Sequence, residues 1–481
     1  MITEVEYAHF NEQGLNKLSV DKQYALLTKG AQYSNLSRPA VLTDGIESLS
    51  KEDAGKLATL YENQAKSISI LKFVPASGAA TRMFKELVTF IETGIESDPI
   101  VAFLNSFEQF SFAVLVPEEL SNIKKAAYIL KNLSFESTPK GLIPFHQYDG
   151  FTRTAFKEHW IEGLYYAAAN GAVNLHFTVS ENHQYAFEQI YMTRITSFSK
   201  EYDKKLSIEF SQQDKSTDTI VVNNTGELVT GTEGLPITRP GGHGALINNL
   251  NELSADLVFV KNIDNVVHQN HLQLTTLYKK ALAGRLIAIK TKLFKALEHI
   301  DNKNANLPNL EALGNETNII PPATYEHYST SEKIKFWKSR FNRPIRVCGM
   351  VKNLGEPGGG PFWVLKNESI SLQIVEASQI DGTKQIQEDI VQSSTHFNPV
   401  DLMCYLTNYQ GNKFDLVKYV DTTTAFVTSK TVNGKEVKVL EHPGLWNGAM
   451  ADWITIFMEV PIETFNPVKT VNDLLKPMHI S

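Results

Sequence analysis

The chain reads Phe73-Val74-Pro75-Ala76-Ser77-Gly78-Ala79-Ala80-Thr81-Arg82-Met83 where an apolar run gives way to small residues and then to an arginine. Side chains this small let a strand end in a tight turn, so that backbone N–H groups and the N-terminus of the next helix face an anion. The segment therefore indicates a phosphate site. Small residues also form ordinary strand-to-helix turns, and this stretch alone is compatible with both interpretations.

Length and composition are typical of a soluble intracellular enzyme. The 481 residues suffice for one elaborated domain or for two to three ordinary ones. The net charge of −7 comes from interspersed acidic and basic residues, which argues against nucleic acid or a membrane surface as partner. Two cysteines exclude a disulfide scaffold and a four-cysteine zinc site. The N-terminus has no signal-peptide pattern and no apolar run approaches the ~18 residues of a membrane span, so we expect a cytoplasmic protein.

Strand and helix patterns alternate from residue 69 onward. Short β-branched runs separated by helical stretches predict an α/β fold, with a mixed, mostly parallel central sheet flanked by helices. The residues before 69 are polar with helical spacing, so we expect a helical N-terminal segment over 1–68 and a catalytic domain over 69–481. The predicted strands are 69–74, 173–179, 206–210, 219–222, 257–260, 345–351, 362–365 and 454–460.

Apolar residues at helical spacing predict several helices in the same region. Two helical insertions are expected, near 95–138 and near 268–341. An asparagine-rich stretch at 301–318, inside the second insertion, is predicted to be a loop. The individual predicted helices are 81–91, 153–170, 245–253, 268–300 and 331–341.

Two loops of the predicted domain have binding-site composition. Lys140 stands between Pro139 and Pro144, and the stiff backbone could present its ammonium to a phosphate, although a surface turn explains the pattern equally well. The segment Arg239-Pro240-Gly241-Gly242-His243-Gly244 precedes a predicted helix. Backbone approaches a flat ligand closely only where side chains are absent, so this loop suits a nucleobase or sugar edge. The alternative is an ordinary loop whose histidine is hydrogen-bonded within the protein, which would need no ligand.

Two further segments carry charged residues after strands or prolines. Asp264 follows a predicted buried strand at its carboxyl edge, where open α/β sheets place their ligands. A single carboxylate there would coordinate a Mg²⁺ shared with substrate phosphates, whereas an Asx-turn is the structural alternative. Near the end, the chain reads Phe465-Asn466-Pro467-Val468-Lys469-Thr470-Val471-Asn472-Asp473-Leu474-Leu475. Its lysine, held behind a proline, could also neutralise phosphate.

Together these segments resemble the sugar-1-phosphate nucleotidylyltransferases. Residues 76–83 are similar to the family's Gly-x-Gly-Thr-Arg signature, Pro139-Lys140 to its Pro-Lys motif, and 242–244 to its base-reading glycine loop. Residues 257–266 resemble the strand that ends in the metal-binding aspartate. The ending 465–475 is especially similar to that of the UDP-glucose and UDP-sugar pyrophosphorylases. The chain also resembles an uncharacterised bacterial family related to these enzymes.

The resemblance implies a nucleotide-diphospho-sugar transferase fold of the GT-A type. It implies joining of a nucleoside triphosphate, UTP in the first instance, to a sugar-1-phosphate, with Mg²⁺ as cofactor and release of pyrophosphate. Glycines beside aromatics at 355–363 and at 442–448 suit a sugar pocket, although tight loops with core aromatics would have the same composition. By role, the expected residues are Arg82, Lys140 and Lys469 for catalysis; Ala76, Ser77, Gly78, Ala79, Gln213, Gly241, Gly242 and His243 for the nucleotide; Asn353, Glu356, Gly359, Trp446 and Asn447 for the sugar; and Asp264 and Asp452 for the metal.

Some positions depart from the family pattern. Ala80 stands where the second glycine is usual, and Arg82 and Lys140 are 58 positions apart, far more than in the family. Either the intervening insertion loops out as a helical cap, or Lys85 takes the role of Lys140. Two other functions stay open: a GT-A glycosyltransferase, although Ile263-Asp264-Asn265 lacks the first acid of the usual Asp-x-Asp, and a nucleotide-binding or nucleotide-sugar-binding protein without catalysis.

Overall fold

The fold is mixed α/β with a central, mostly parallel sheet, as the sequence predicts. It is seen in a computed structural model that describes residues 2–78, 80–355, 358–432 and 434–480. The α-helices are α1 Glu4–Glu12, α2 Lys17–Lys29, α3 Lys51–Gln64, α4 Lys85–Thr93, α5 Asp98–Asn105, α6 Asn122–Ala127, α7 Ala155–Tyr166, α8 Glu181–Tyr202, α9 Leu246–Glu252, α10 Leu272–Asp301, α11 Leu307–Glu316, α12 Thr330–Phe341 and α13 Gln385–Gln392.

The strands are short, and most have at least one buried face. They are β1 Leu36–Pro39, β2 Val41–Leu42, β3 Gly45–Glu47, β4 Ile70–Pro75, β5 Pro144–Tyr148, β6 Phe151–Thr154, β7 Ala168–Ala169, β8 Ala172–Thr178, β9 Lys205–Ser211, β10 Thr219–Asn223, β11 Thr238–Arg239, β12 Leu257–Lys261, β13 Ile345–Lys352, β14 Gly360–Lys366, β15 Ser369–Val375, β16 His396–Phe397, β17 Asp401–Tyr405, β18 Phe426–Val432, β19 Lys435–Glu441 and β20 Ile454–Glu459.

The chain divides into two compact units, each assembled from three segments. Unit 1 comprises Met1–Ser50, Gln213–Asp256 and Arg285–Val460. Unit 2 comprises Lys51–Gln212, Leu257–Gly284 and Pro461–Ser481. The expected domain boundary after residue 68 stays a prediction.

Unit 2 contains a parallel sheet with the strand order β12, β4, β8, β9, and β7 pairs antiparallel with β8. Every residue of β12 and nearly every residue of β4 is buried, which is typical of parallel strands covered on both faces. Val260 pairs with Phe73, so the carboxyl ends of β12 and β4 are neighbours. The loops that follow these two strands therefore start at the same edge of the sheet.

The first predicted insertion is a helical layer of unit 2. Helices α5 and α6, and a π-helical turn at Tyr128–Asn132, continue α4 along the chain. Phe84 and Leu87 on the α4 side pack in one buried apolar cluster with Phe103, Phe112 and Ile129 of the insertion. The insertion is thus held by its own aromatic core.

Unit 1 contains a sheet in which β2, β3, β20 and β13 run parallel in that order, while β17 and β16 pair antiparallel with β13. A separate antiparallel sheet has the order β11, β10, β19, β18, and a third has the order β1, β14, β15. Helices α1 and α2 cover the sheet that contains β10 and β19, through Phe10, Val20, Ile220 and Leu440.

Two predicted helices begin later than expected. The stretch 81–91 opens with a 3₁₀ turn at Ala80–Arg82, and α4 starts only at Lys85. The Ala80 N–H donates to the Thr138 carbonyl, so a tertiary contact holds this turn. The stretch 153–170 begins with the end of β6, and the Thr154 hydroxyl, which accepts from the Lys157 N–H, starts α7 at Ala155.

The same helix also ends earlier than predicted. Asn170 and Gly171 both have positive φ and connect β7 to β8 as a two-residue hairpin. Asn-Gly is the preferred sequence for such a turn because both central residues need left-handed backbone. The Asn-Gly pair therefore marks a hairpin that follows the helix, not the end of the helix itself.

Two other expectations were wrong. The stretch 301–318 is not a loop throughout, because Asn306 caps the N-terminus of α11 and Pro308 lies in its first turn. Residues 1–68 are not wholly helical, because β1, β2 and β3 lie within them. Strand β1 pairs with β14 and β3 pairs with β20, and both partners come more than 300 residues later in the sequence, so local spacing could not reveal these pairings.

Candidate functional site

The loop after β4 presents exposed backbone at the carboxyl edge of the unit 2 sheet. Ala76 is buried and its N–H donates to the Thr178 carbonyl, whereas Ser77 and Gly78 are exposed. A Cβ added to Gly78 would meet no atom within 4 Å. The space in front of Gly78 is therefore open to a ligand. Ala79, also expected in this site, lies outside the described residues.

Arg82 ends the 3₁₀ turn that follows this loop. Ala80 is fully buried, so its methyl group points into the core. Arg82 is exposed, and its guanidinium has no hydrogen-bond or ion-pair partner in the described part of the chain. A bidentate donor of this kind suits a phosphate group.

Lys140 lies against the same loop, despite the long insertion between them. Its N–H donates to the Gly78 carbonyl at 3.2 Å, and the Thr138 carbonyl accepts from the Ala80 N–H at 3.3 Å. Lys85 stands instead at the start of α4 and is exposed. Of the two lysines that the sequence left open, Lys140 is the one hydrogen-bonded to the small-residue loop.

The Lys140 ammonium joins three parts of unit 2. It donates to Asp264 Oδ2 at 2.9 Å and to the Val468 carbonyl at 2.7 Å. Both side chains of the ion pair are 17% exposed. The pair is thus shielded from water on most sides while still reachable from solvent.

The C-terminal segment is held beside Asp264 by backbone hydrogen bonds. The Val468 N–H donates to the Asp264 carbonyl, and the Asn466 N–H donates to Asn265 Oδ1 at 2.8 Å. Lys469 follows and is exposed, and its N–H donates to the carboxylate of Asp473. Four of the five motifs found in the sequence therefore meet in unit 2.

Asp264 is the carboxylate of unit 2 that lies beside Lys140 and the Val468 segment. Asp264 supplies a carboxylate, and no group of three or more His, Cys, Asp or Glu able to hold a metal occurs among the residues the structure describes. Mg²⁺ usually binds through one or two carboxylates and completes its shell with water and substrate phosphates. The single aspartate fits that mode of binding, with Lys140 as its present partner.

A buried charge network lies in the same unit and was missed from the sequence. Glu162 of α7 accepts from Lys72 of β4 at 2.8 Å and from Lys261 of β12 at 2.7 Å. His159 Nε2 donates to the carbonyl of Ile263, directly before Asp264. The network therefore connects both strands to α7. Lysines inside two apolar strand segments were the available signal.

The single negative charge of Glu162 cannot fully neutralise the two ammonium groups of Lys72 and Lys261 in an interior without water. Burial, together with the neighbouring charges of Lys261 and Lys279, lowers the pKa of Lys72 to about 7, although Glu162 opposes the change. Burial raises the pKa of Glu162, but the two lysines outweigh it and hold that pKa well below its usual range. Glu162 is therefore ionised.

The glycine loop of unit 1 packs against its own chain. A Cβ on Gly241 would lie 2.3 Å from the His442 ring, and a Cβ on Gly244 would lie 2.3 Å from the Pro443 carbonyl. Close packing therefore accounts for these two glycines. Gly242 has a φ of +78°, which favours glycine. The expected contact of this loop with a nucleobase stays a prediction.

His243 belongs to a polar cluster in unit 1. Its ring stacks on Trp446 at 4.2 Å, and its Nε2 lies 3.5 Å from Glu376 Oε1. Asn447 is fully buried and donates to the same Glu376 oxygen at 2.9 Å. Burial raises the pKa of Glu376, but the bonds from His243 and Asn447 outweigh it, so the net pKa is lowered. The sequence had singled out the other three residues and missed Glu376.

The remaining expected residues of unit 1 lie in separate local settings. Gln213 is half-buried and donates to Thr217 Oγ1. Asn353 is exposed and its Oδ1 accepts from the Gly355 N–H, and the carbonyl of buried Gly359 accepts from the Asn398 N–H. Asp452 has its Oδ1 3.7 Å from Arg343 Nη1, and its expected role as a metal ligand stays a prediction. Glu356 lies outside the described residues.

A histidine–glutamate pair stands at the carboxyl edge of β13 and β20. His396 Nε2 lies 3.4 Å from Glu459 Oε1, and His396 pairs with Lys352 at the end of β13. Ligands of open α/β sheets bind outside the carboxyl ends of strands. Neither residue stood out in the sequence, because each is single and without a motif.

None of the described helices is both long and apolar enough to cross a membrane. The fold is similar to that of the uridine diphosphate N-acetylglucosamine pyrophosphorylase from Trypanosoma brucei, with a TM-score of 0.50 and 13% identity over 98% of this chain and 79% of that chain. The UDP-glucose pyrophosphorylase from Leishmania major has a TM-score of 0.46 at 13% identity, over 99% and 79%. At such identity the likeness concerns the fold alone.

No curated protein matches the chain in sequence. A family model does match, over residues 3–480, and its description is Domain of unknown function (DUF4301). Because the match covers nearly the whole chain, this protein belongs to that family.

Proposed function

We propose that this protein is a sugar-1-phosphate nucleotidylyltransferase. The observation that carries the proposal is the meeting, in unit 2, of the open Gly78 loop, the Lys140–Asp264 ion pair and the Val468–Lys469 segment. The fold shared with a pyrophosphorylase from Trypanosoma brucei supports the same kind of reaction. UTP is the proposed nucleotide because residues 465–475 resemble the ending of the UDP-sugar enzymes.

In the proposed reaction an oxygen of the sugar-1-phosphate attacks the α-phosphorus of the triphosphate. The bond from that phosphorus to the bridging oxygen breaks, and pyrophosphate leaves with the electron pair. Such a transfer needs alignment and charge neutralisation more than covalent help. Arg82 and the loop 76–79 are assigned to the β- and γ-phosphates, and Lys140 and Lys469 to the α-phosphate and the sugar phosphate.

Mg²⁺, when bound, would neutralise charge that develops on the phosphate oxygens. Asp264 is the proposed protein ligand, and Lys140 would then move its ammonium toward the substrate while keeping its bond to the Val468 carbonyl. Asp452, the other expected metal ligand, stays a prediction; its Oδ1 lies 3.7 Å from Arg343 Nη1. Gln213, Gly241, Gly242 and His243 remain the proposed base contacts; Asn353, Glu356, Gly359, Trp446 and Asn447 remain the proposed sugar contacts.

The test is pyrophosphate release from UTP, Mg²⁺ and a panel of sugar-1-phosphates. We expect turnover with at least one sugar, and its loss in Arg82→Ala but not in Lys85→Ala. Lys85 is a matched control, since it is a nearby exposed cation on the same segment. Turnover that survives in Arg82→Ala would contradict the assigned phosphate site.

Two added measurements, incubation with a UDP-sugar and calorimetric titration with UTP, separate the other two functions. A glycosyltransferase would consume a UDP-sugar and release UDP without any pyrophosphate. A binding protein without catalysis would bind UTP in a calorimetric titration and release nothing with any sugar. Ala80 stands where the nucleotidylyltransferase signature usually has its second glycine, and its buried methyl group is compatible with either catalysis or binding.

A further inference from the structure

A cavity in unit 1 lies at the amino-terminal ends of its parallel strands. It has a volume of about 640 Å³ and lies between strand β15, the end of α12 and the residues that lead into β20. Arg343 and Ile454 in its wall stand just before and at the start of β13 and β20. It is therefore at the opposite strand ends from His396 and Glu459. The volume is in the range of small-molecule sites.

Two arginines in the wall leave positive charge without a full counter-charge. Arg343 is 21% exposed and lies 3.7 Å from Asp452, which is itself 62% exposed. Arg340 has no hydrogen-bond or ion-pair partner among the residues described, and its guanidinium carbon lies 5.3 Å from the Phe336 ring centre. Burial and the neighbouring charge of Arg340 lower the pKa of Arg343. The carboxylate that Arg343 contacts is thus largely exposed to water, and Arg340 has no described carboxylate partner.

The other charges of the cavity are already paired. Lys366 donates to Asp421 at 2.5 Å and to Thr423 at 3.0 Å. The rest of the wall is rich in hydroxyl and amide groups, including Ser371, Gln373 and Thr455. A ligand that suits such a wall carries one anionic group for the arginines and hydroxyl groups for the remainder.

We propose that this cavity binds a small sugar that carries one anionic group, with Arg340 and Arg343 holding that group. The site lies in unit 1 and uses no residue assigned to nucleotide transfer. The proposal therefore stands independently of the proposed function. Guanidinium forks recognise phosphate and carboxylate alike, so the shared chemistry is an anionic monosaccharide, and the experiment below distinguishes the two anions.

The experiment is calorimetric titration of the full chain with glucose 6-phosphate, glucuronate and glucose. We expect one of the anionic sugars to bind, glucose to bind at least about tenfold more weakly, and Arg340→Gln to lower the affinity for the anionic sugar at least about tenfold. Lys335→Gln, an exposed cation on the same helix and outside the cavity wall, should bind as the parent does. The preferred anion identifies the chemical group that is held.

Two further variants keep the test decisive. Arg343→Gln should also lose binding of the anionic sugar. Because Arg340→Gln breaks no described hydrogen bond, a loss of binding in that variant cannot be explained by misfolding. Arg82→Ala should bind the anionic sugar as the parent does, whatever happens to pyrophosphate release. Absence of binding by all three sugars, equal binding of glucose, or loss of binding in Arg82→Ala would overturn the proposal.

Discussion

At the scale of single residues, Asp264 and Lys140 make the contact on which the proposed site depends. The carboxylate accepts from the ammonium at 2.9 Å and stands next to the Val468 carbonyl that the same ammonium contacts. An aspartate in this position can serve either as an ion-pair partner or as a metal ligand. Substitution at this residue separates the two roles.

We expect Asp264→Asn to remove most turnover while the fold survives. Asparagine keeps the shape of the side chain but lowers its affinity for Mg²⁺, and Lys140 retains the Val468 carbonyl as an acceptor. The measurements are pyrophosphate release over a range of Mg²⁺ concentrations and thermal melting. An unchanged Mg²⁺ dependence would remove Asp264 from the metal site.

Lys469 carries a second prediction at this scale. If its ammonium neutralises charge on the transferred phosphoryl group, Lys469→Ala should lower the maximal rate by ~10²-fold. UTP affinity should fall much less, because the triphosphate is assigned mainly to Arg82. Rates in both directions of the reaction, with Lys476→Ala as the control lysine, provide the check. A near-parental rate would mean that Lys469 is an ordinary surface residue.

At the scale of elements, α7 is attached to β4 and β12 by charge as well as by packing. Glu162 is the only carboxylate that the described contacts place on both Lys72 and Lys261. Its removal leaves two buried ammonium groups without a counter-ion. Substitution of Glu162 should therefore lower the free energy of unfolding.

We expect Glu162→Gln to lower the free energy of unfolding by about 3–5 kcal/mol. The matched control is Glu52→Gln, whose ion pair with Lys56 is 80% and 65% exposed and should leave the free energy of unfolding almost unchanged because water screens it. Urea unfolding of both variants and the parent measures the difference. Equal midpoints for the two variants would show that the buried network contributes no more than a surface pair.

The C-terminal segment is docked onto β5 through buried histidines. His479 Nδ1 lies 2.9 Å from His146 Nε2, and the other nitrogen of His146 lies 2.9 Å from Glu158. Burial and the neighbouring His146 lower the pKa of His479 to about 3. The folded state therefore binds fewer protons than the unfolded state between pH 3 and about 6.5.

The contribution of His479 to the free energy of unfolding should therefore be fully present above about pH 6.5 and should decrease as the pH is lowered. For His479 alone the slope is at most about 1.4 kcal/mol per pH unit. We expect His479→Gln to flatten the dependence between pH 6.5 and 4.5, while substitution of exposed His299 with glutamine leaves it unchanged. Urea unfolding at several pH values measures the slope, and parallel curves for parent and His479→Gln would contradict the assignment.

At the scale of the whole molecule, neither unit is a continuous stretch of chain. Unit 2 is completed by residues 461–481, which add Val468, Val471 and Leu474 to the apolar cluster of α4 and the insertion. Contacts between segments so distant in sequence form late in folding, because long loops must close first. The last segment is thus part of the core of unit 2.

A chain that ends at Val460 should therefore lose the compact state of unit 2. The exposed apolar surface and unpaired backbone groups would make residues 70–178 sensitive to proteases, whereas these residues are protected in the full chain. Limited proteolysis followed by mass spectrometry gives the measurement. An unchanged cleavage pattern within 70–178 would show that the remaining segments of unit 2 fold alone.

Much of the sheet could be predicted because its evidence is local. The apolar runs around Phe73 and Phe259 predict strands that the structure contains as β4 and β12, and their continuous burial follows from the same runs. The sequence motifs around them also identified Lys140 and Asp264 as candidate site residues. Two predictions failed for different reasons: β1 pairs with a strand more than 300 residues distant, and Asn170-Gly171 forms a hairpin turn between β7 and β8, whereas the sequence pattern suggested a helix up to Asn170.

The sequence by itself thus determined the mixed α/β class, the main strands and the kinds of residue at the site. Tertiary structure decided which residues meet: Lys140 reaches Asp264 across 124 positions and Val468 across 328, and Glu162 joins two lysines that no local pattern pairs. It also decided that the motifs of the glycine loop belong to unit 1 and those of the phosphate loop to unit 2. The physical reason is that the spacing of apolar residues and the preferences of turn residues determine structure over a few positions. Ion pairs and side-chain packing depend instead on which distant segments the folded chain brings into contact.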